Sequence, residues 1–322
     1  MLRNLKKLGL IFVAFLLIFG SLSFMNLTIV KAADTSAGND KITIGTTKNT
    51  ASMPPVMAKV SNEFLNNNID VDVQSFNSNS ELNDAIANGT VNVAVTNLVS
   101  YASIVKNNPK WKIAGTLPGY YGLVANKKYK SIKSLKGKTI AVDKKDGSKQ
   151  YLQSLLKKNK MKLSSVKIKQ IDSESDRVAS LKDKKIAAAV LEDPEISNAK
   201  SYGNKILNRQ KQGADNGNIL IMNTDFSSKN VSSVKILVSV LNDQVKRINK
   251  LNNYSMANDA LREFKATDKA TGYMNNMDFT FKKIHKVKKA DFNKAFKYAK
   301  SKKLYKGKIS YKANVLKIST IK

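Results

Sequence analysis

The sequence predicts an α/β protein built as two similar lobes, each a mostly parallel sheet flanked by helices. Three observations predict it. Apolar runs of strand length alternate with helix-period segments from Lys41 onward, an order that implies parallel strands with helices on their faces. A similar order returns about 95 residues later. Between the two, the stretch Leu123 to Leu156 passes from strand through a polar turn to helix.

Lys41 to Thr46 (KITIGT) reads as the first strand, and Thr46 to Ser52 as a polar loop. Pro54 and Pro55 suit the first turn of a helix, where their missing N–H groups cost nothing. Val56, Val60 and Phe64, with Met57 and Leu65, give that helix its apolar stripe. Ile69 to Phe76 alternates as a strand. Ser78 and Glu81 form a capping box ahead of a helix with Leu82, Ala85 and Ile86 inside and Gly89 as its stop. Val91, Val93 and Val95 mark a third strand, which ends in the polar pair Thr96-Asn97.

Tyr120 to Asn126 then reads as a strand, followed by a lysine-rich loop and a short apolar run, Lys138 to Val142. Asp143 to Ser148 is turn-forming, and from Lys149 a helix places Leu152, Leu155 and Leu156 on one face. A strand, a polar loop and a helix start present backbone N–H groups and the Ser148 hydroxyl to a small ligand. Lys138 to Ala141 echoes Lys41 to Ile44, and Ser180 to Val190 echoes Ala85 to Val95, in the same order and at nearly the same offset. A second capping box, Ser173 with Asp176, opens the echoed helix. Two similar lobes account for both matches, and strand ends in open α/β sheets are where ligands bind, so their loops line one shared cleft.

The expected divisions are 1–33 as an export signal, 34–40 as a linker, 41–122 as the first part of lobe one, 123–220 as lobe two, and 221–322 as the return to lobe one with C-terminal helices. Asn218 to Asn223 is the returning strand, Val231 to Leu251 a long amphipathic helix, and Ala290 to Ser301 a further helix. Trp111, Phe292, Phe296 and Tyr298 read as core and groove residues.

Composition narrows the function. The net charge is +32 and almost all of it is lysine, with arginine only at positions 3, 177, 209, 247 and 262. These lysines are spread along the chain, whereas nucleic-acid sites cluster arginine with aromatics, so no nucleic-acid partner is expected. A surface in contact with anionic envelope polymers is the alternative. The absence of cysteine excludes disulfides, thiolate metal sites and a cysteine nucleophile. The single histidine, His285, reads as a surface or packing residue, and no catalytic residue, metal site or cofactor is expected.

Arg3, Lys6 and Lys7 precede the apolar run Leu8 to Phe19, and Val30-Lys31-Ala32 offers a cleavage site near Ala32/Ala33. Export to an extracellular or envelope-associated location follows, with an uncleaved anchor as the alternative. No cysteine is present to carry a lipid.

Four local features carry a resemblance to type II periplasmic or extracellular substrate-binding proteins of ABC importers, in the nitrate/sulfonate/taurine and thiamine-precursor branch. They are DAIANGTVNVAVTN (84–97), SLKGKTIAV (134–142) with Gly147-Ser148 after it, KKIAAAVLEDPEI (184–196) and NILIMNTDF (218–226). The likeness runs from about Lys41 to the last helix. It implies two lobes that close on a solute, held by Thr46, Thr47 and Asn49, by Thr96 and Asn97, by Tyr120 or Tyr121, by Gly147 and Ser148, and by Glu192 and Asp193. No arginine falls at these positions, which weakens an anion-clamping pocket; Lys48 or Lys145 would act there only as point charges. A carboxylate of Glu192 or Asp193 facing the cleft favours a solute with an amine or ring N–H donor.

The implied function is capture of a small organic solute of the sulfonate, taurine-like, nitrate or pyrimidine-precursor class and its delivery to an ABC permease and its ATPase, by a protein expected to be a monomer. The alternative is a lysine-rich surface protein binding anionic wall polymer or host glycan. An enzyme on this fold would want a reactive histidine and a cytoplasmic address. Gly137-Lys138-Thr139 imitates the end of a P-loop, but Ile132 stands where the earlier glycine belongs, and the triplet runs into a strand.

Overall fold

Strands form where the apolar runs fall. The computed structural model describes residues 40–250, 255–319 and 321. The expected export signal, 1–33, and the expected linker apart from Asp40 lie outside the described residues. The strands are β1 (Ile42–Thr47), β2 (Val71–Phe76), β3 (Val93–Asn97), β4 (Trp111–Thr116), β5 (Gly122–Ala125), β6 (Thr139–Val142), β7 (Lys167–Gln170), β8 (Ala188–Leu191), β9 (Lys205–Arg209) and β10 (Asn218–Asn223). They make two five-stranded sheets of matching order, β2-β1-β3-β10-β4 and β7-β6-β8-β5-β9. Position by position, β6 answers β1 and β8 answers β3, the two pairs that echo each other in sequence. In each sheet one strand runs antiparallel to its neighbours, β10 in the first and β5 in the second.

Those two strands are where the chain changes lobes. It leaves the first sheet at Thr116, enters the second at Gly122, leaves again at Arg209 and returns at Asn218. The two crossovers are tied together: Leu117 N–H donates to the Asn218 carbonyl and Gln210 N–H to the Tyr121 carbonyl, each at 2.9 Å. Gln210 Oε1 accepts from Tyr121 N–H at 2.7 Å.

The period of two in the strands feeds opposite faces. Val93, Val95, Leu220 and Met222 pack with the helices Met53–Val60 and Val231–Ile248. Ala94, Ile219 and Ile221 pack with Asn79–Ala87, Leu98–Asn107 and Lys289–Ser301. In the second sheet Leu123, Ile140, Val142 and Val190 meet Leu152, Leu155 and Leu156 of the helix Gly147–Lys158. Both sheets are thereby enclosed, which leaves the C-terminal ends of the parallel strands to form a site.

Several element readings shift. The helix carrying Pro54 and Pro55 ends at Val60, and Asn62 at φ 55° breaks the register before a short helix Glu63–Asn66. The stripe is rotated there: Phe64 stays buried, whereas Leu65 is 68% exposed. The strand expected over Tyr120 to Asn126 is only β5, because Tyr120 and Tyr121 belong to the crossover. The helix expected from Lys149 starts at Gly147, since Asp146 caps it by accepting from Ser148 N–H. The long helix ends at Ile248, and Leu251 lies outside the described residues. Trp111, Phe292 and Phe296 are core as expected, the two phenylalanine rings stacked at 4.1 Å.

Candidate functional site

Loops from both sheets converge on a polar cleft with two chambers. One is narrow, about 30 Å³, and is lined by Thr47, Asn49, Thr96, Glu174, Glu192 and Asn218 among others. That volume holds a water molecule or two. The other is about 490 Å³, within the range of small-ligand pockets, and is lined by Tyr121, Gly147, Tyr151, Asn208, Gln210 and Asn216 among others. Asn97 borders both.

From the first lobe, the loop after β1 presents Thr47 and Asn49. Asn49 Oδ1 accepts from Ser52 N–H at 3.2 Å, capping the next turn, while its Nδ2 donates to Glu192 Oε1 at 3.3 Å. After β3, Asn97 caps the following helix, its Oδ1 accepting from Val99 and Ser100 N–H. Asn97 and Asn49 are therefore helix caps and cleft residues at once. Thr96 is buried beside them, and its hydroxyl has no hydrogen-bond partner.

The second lobe presents carboxylates. Glu192 follows β8, and its Oε2 accepts from Asn218 Nδ2 at 2.9 Å. Asn49 and Asn218 belong to the first lobe, so this carboxylate bridges the lobes. Asp146 makes a second bridge, Oδ2 accepting from Asn79 Nδ2 at 3.2 Å. Glu174 accepts from Glu192 N–H at 2.6 Å. Behind them Arg177 is fully buried, donating to the carbonyls of Ile171, Val190 and Asp172 at 2.8, 2.8 and 3.0 Å. Its ion pair with Glu174 is 3.7 Å long.

Burial sets the electrostatics. It pushes Glu192 up to about 8, the hydrogen bond from Asn218 opposing and the charge of Asp146 assisting. Burial and the neighbouring Asp143 push Asp146 up to about 7, against Arg177 and Ser148. Glu174 is also raised by burial, with Arg177 opposing. Negative charge is difficult to hold in this wall.

Thr47, Asn49, Thr96, Asn97, Tyr121, Gly147 and Glu192 thus line the cleft. Four expected site residues do not. Thr46 lies within β1, fully buried, with its hydroxyl on the Gln74 carbonyl at 3.3 Å. Tyr120 and Asp193 serve each other in the core, the phenol donating to Asp193 Oδ2 at 2.6 Å. Asp193 Oδ1 accepts from Ser197 N–H and hydroxyl, and Arg209 lies 3.5 Å from Oδ2. Ser148 is occupied by its own cap: its N–H and hydroxyl both bond Asp146 Oδ1, at 2.7 and 2.5 Å. The helix start that the sequence offered to a ligand is therefore filled by an internal carboxylate.

The two tyrosines divide their roles. Tyr120 stacks near Phe281 at 6.2 Å, away from the cleft. Tyr121 stacks on Tyr151 at 5.7 Å, and its buried hydroxyl has no partner. Gly147 makes room for it, since a Cβ there would stand 2.8 Å from that hydroxyl. Sequence reading missed Asn79, Glu174 and Asn218 as cleft residues and Asp146 as a bridge between the lobes. Asp146 and Asn79 were legible only as turn and helix-start residues, and Asn218 only as a strand end. His285 sits apart, Nδ1 2.9 Å from Thr116 Oγ1 and Nε2 2.9 Å from Asp215 Oδ1.

Two lobes of one strand order, joined by paired crossovers and meeting at a polar cleft, define the type II periplasmic-binding-protein fold. The chain belongs to the NMT1/THI5-like family, whose model matches residues 49–248. The ligand-binding component of an ABC-type import system from Staphylococcus aureus, solved with zinc bound, superposes with a TM-score of 0.74 at 14% identity, covering 87% of this chain and 99% of that one. The periplasmic aliphatic sulphonate-binding protein SsuA of Escherichia coli gives 0.70 at 15% identity, covering 85% and 97%. The periplasmic nitrate-binding protein NrtA of Synechocystis PCC 6803 gives 0.62 at 14%, covering 71% and 68%. At these identities the likeness is one of fold. A search of curated proteins finds no match. These neighbours are binding proteins, and among the described residues no helix is long and apolar enough to cross a membrane.

Proposed function

We propose that this chain is an exported solute-binding protein that captures a small organic solute between its lobes and delivers it to an ABC permease and its ATPase. The observation that carries the reading is the bridging of the two lobes by Glu192, whose carboxylate meets Asn49 and Asn218 across the cleft. Groups that join the lobes at the cleft are those a solute engages on closure. Hinge rotation falls on the crossovers 117–121 and 210–217, two short segments that absorb the change in backbone angles. The permease then reads the closed form, which a solute stabilises because only there does it touch both lobes.

Membership of the family and the fold neighbours support this reading over an enzyme, as does the engagement of the lone histidine outside the cleft. The solute falls within the sulfonate, taurine-like, nitrate or pyrimidine-precursor range, the protein works as a monomer, and its lysine-rich surface contacts the anionic envelope. Small-angle scattering with and without a solute that shifts the melting temperature tests the mechanism. A smaller radius of gyration with solute is expected; binding without compaction overturns it.

A further inference from the structure

The wall of the cleft buries carboxyl groups that the protein pairs with no cation at hydrogen-bond distance among the described residues, apart from the long contact of Glu174. The side-chain oxygens of Glu192 receive hydrogen bonds from the neutral amides of Asn49 and Asn218. Asp146 receives them from Ser148 and from the Asn79 amide, all neutral. Arg177, the cation behind this wall, is committed to three carbonyls and reaches Glu174 only at 3.7 Å. Lys48 lines the same chamber, but its ammonium is turned to Asn77 Oδ1 at 2.8 Å. Buried carboxylates without a cationic partner are costly, and the cost falls when a cation enters.

A second observation points the same way. Thr96, 5% exposed, lines the chamber with Glu174 and Glu192, and Tyr121, 3% exposed, lies against Gly147 next to Asp146; both hydroxyls lack a partner. Each hydroxyl accepts as well as donates, so both suit a ligand rich in N–H groups. Among the described residues no group of side chains is arranged to hold a metal ion, which favours an organic cation.

We propose that the solute carries a protonated amine or amidinium group, whose charge Glu192 meets directly and the internal Asp146 supports from within the wall, and whose remaining N–H bonds go to Thr96 and Tyr121. The inference rests on the solute-binding reading and narrows it. Its sign is opposite to that of the sulphonate and nitrate for which two fold neighbours are named. An anion set between these carboxyls would find Arg177 committed to backbone carbonyls and Arg209, at the larger chamber, drawn to Asp193 at 3.5 Å.

The test is isothermal titration of the full chain at neutral pH. One set of probes is alkylamines, diamines and guanidines; a second is alkanesulfonates, nitrate and methylphosphonate; a third is zinc and magnesium ions. Binding by a cationic organic probe is expected, weakened at least tenfold by Glu192→Gln and several-fold by Tyr121→Phe, the two variants guarding against a fold defect in one. Binding by anions alone, by metal ions alone, or by amines equally well in both variants overturns the proposal and leaves the solute-binding reading standing. If no probe binds and scattering shows no compaction with any of them, the solute-binding reading falls and takes this inference with it.

Discussion

Glu192 of the second lobe accepts a hydrogen bond from Asn218 of the first at 2.9 Å, and burial raises its carboxyl to about 8. The unfolded value is near 4.5. Asp146 moves likewise, from 3.8 to about 7. Between those limits the native state holds protons that the unfolded chain has released. Stability is therefore fully present below the unfolded values and declines as pH rises through the folded ones, by up to about 1.4 kcal/mol per pH unit for each group. Urea midpoints of solute-free protein are expected to fall from pH 5 to pH 9, and Glu192→Gln to flatten the upper part of that fall. A midpoint that rises with pH across this window contradicts the assignment.

The tyrosines make a matched pair. Tyr120→Phe strips Asp193 of a buried donor at 2.6 Å and is expected to cost about 1–3 kcal/mol. Tyr121→Phe removes a hydroxyl with no partner, so stability stays within about 1 kcal/mol of wild type or rises. Denaturant melts of the two variants decide it; equal losses would show that Tyr121 is held as tightly as Tyr120.

Gly119 lies in the first crossover, where a Cβ would come within 1.9 Å of Asn218 Nδ2 and 3.2 Å of Glu192 Oε2. Gly119→Ala displaces Asn218 from the bridge and is expected to destabilise by about 1–3 kcal/mol, as overpacking does. Gly272 is the control, since a Cβ there meets nothing within 4 Å inside the helix Asp268–Asn275. Gly272→Ala should be neutral or stabilising by about 0.5–1 kcal/mol. Calorimetric melts of both variants would expose any reversal of that order.

Arg177 is buried in full and donates to three carbonyls, those of Ile171, Val190 and Asp172. Arg177→Ala is expected to cost about 3–5 kcal/mol, because it removes the donor from those carbonyls and the nearby cation from Glu174. Arg177→Lys should recover little, as an ammonium does not reproduce the planar fork. Full rescue by lysine, read from urea midpoints, would show that charge alone matters there.

Lysine-driven association with an anionic envelope has its own signature. Raising salt from about 0.1 M to 1 M shortens the screening length from about 10 Å to about 3 Å and should release the protein from cells. Retention in high salt points instead to the uncleaved anchor.

Much of the fold was legible because burial writes period two and period 3.6 into the chain. The runs Lys41 to Thr46 and Lys138 to Val142 carried the two-lobe reading, and β1 and β6 do hold matching places in their sheets. Leu65 misled because one left-handed residue, Asn62, shifts the helical phase without changing composition. The cleft was harder to read. Tyr120 and Tyr121 are the same residue type one position apart, so only the path of the crossover separates core from cleft. Ser148 read as a ligand donor because nothing local revealed that Asp146 would fold back onto it. Asn79, Asn218 and Glu174 meet across long sequence separations, which a one-dimensional pattern does not record.

The insertion of β10 between β3 and β4 also governs the order of assembly. All five strands of the second sheet lie between Gly122 and Arg209, a continuous stretch that contains everything its sheet requires. The first sheet is different: until Asn218 to Asn223 has been delivered, β3 and β4 face each other as unpaired edges. Its closure waits on the longest-range strand pairing within the two sheets, and such pairings are slow. A nascent chain emerging N-terminus first therefore keeps its leading half open while the trailing half is still being made. The lobe that is begun first is finished last.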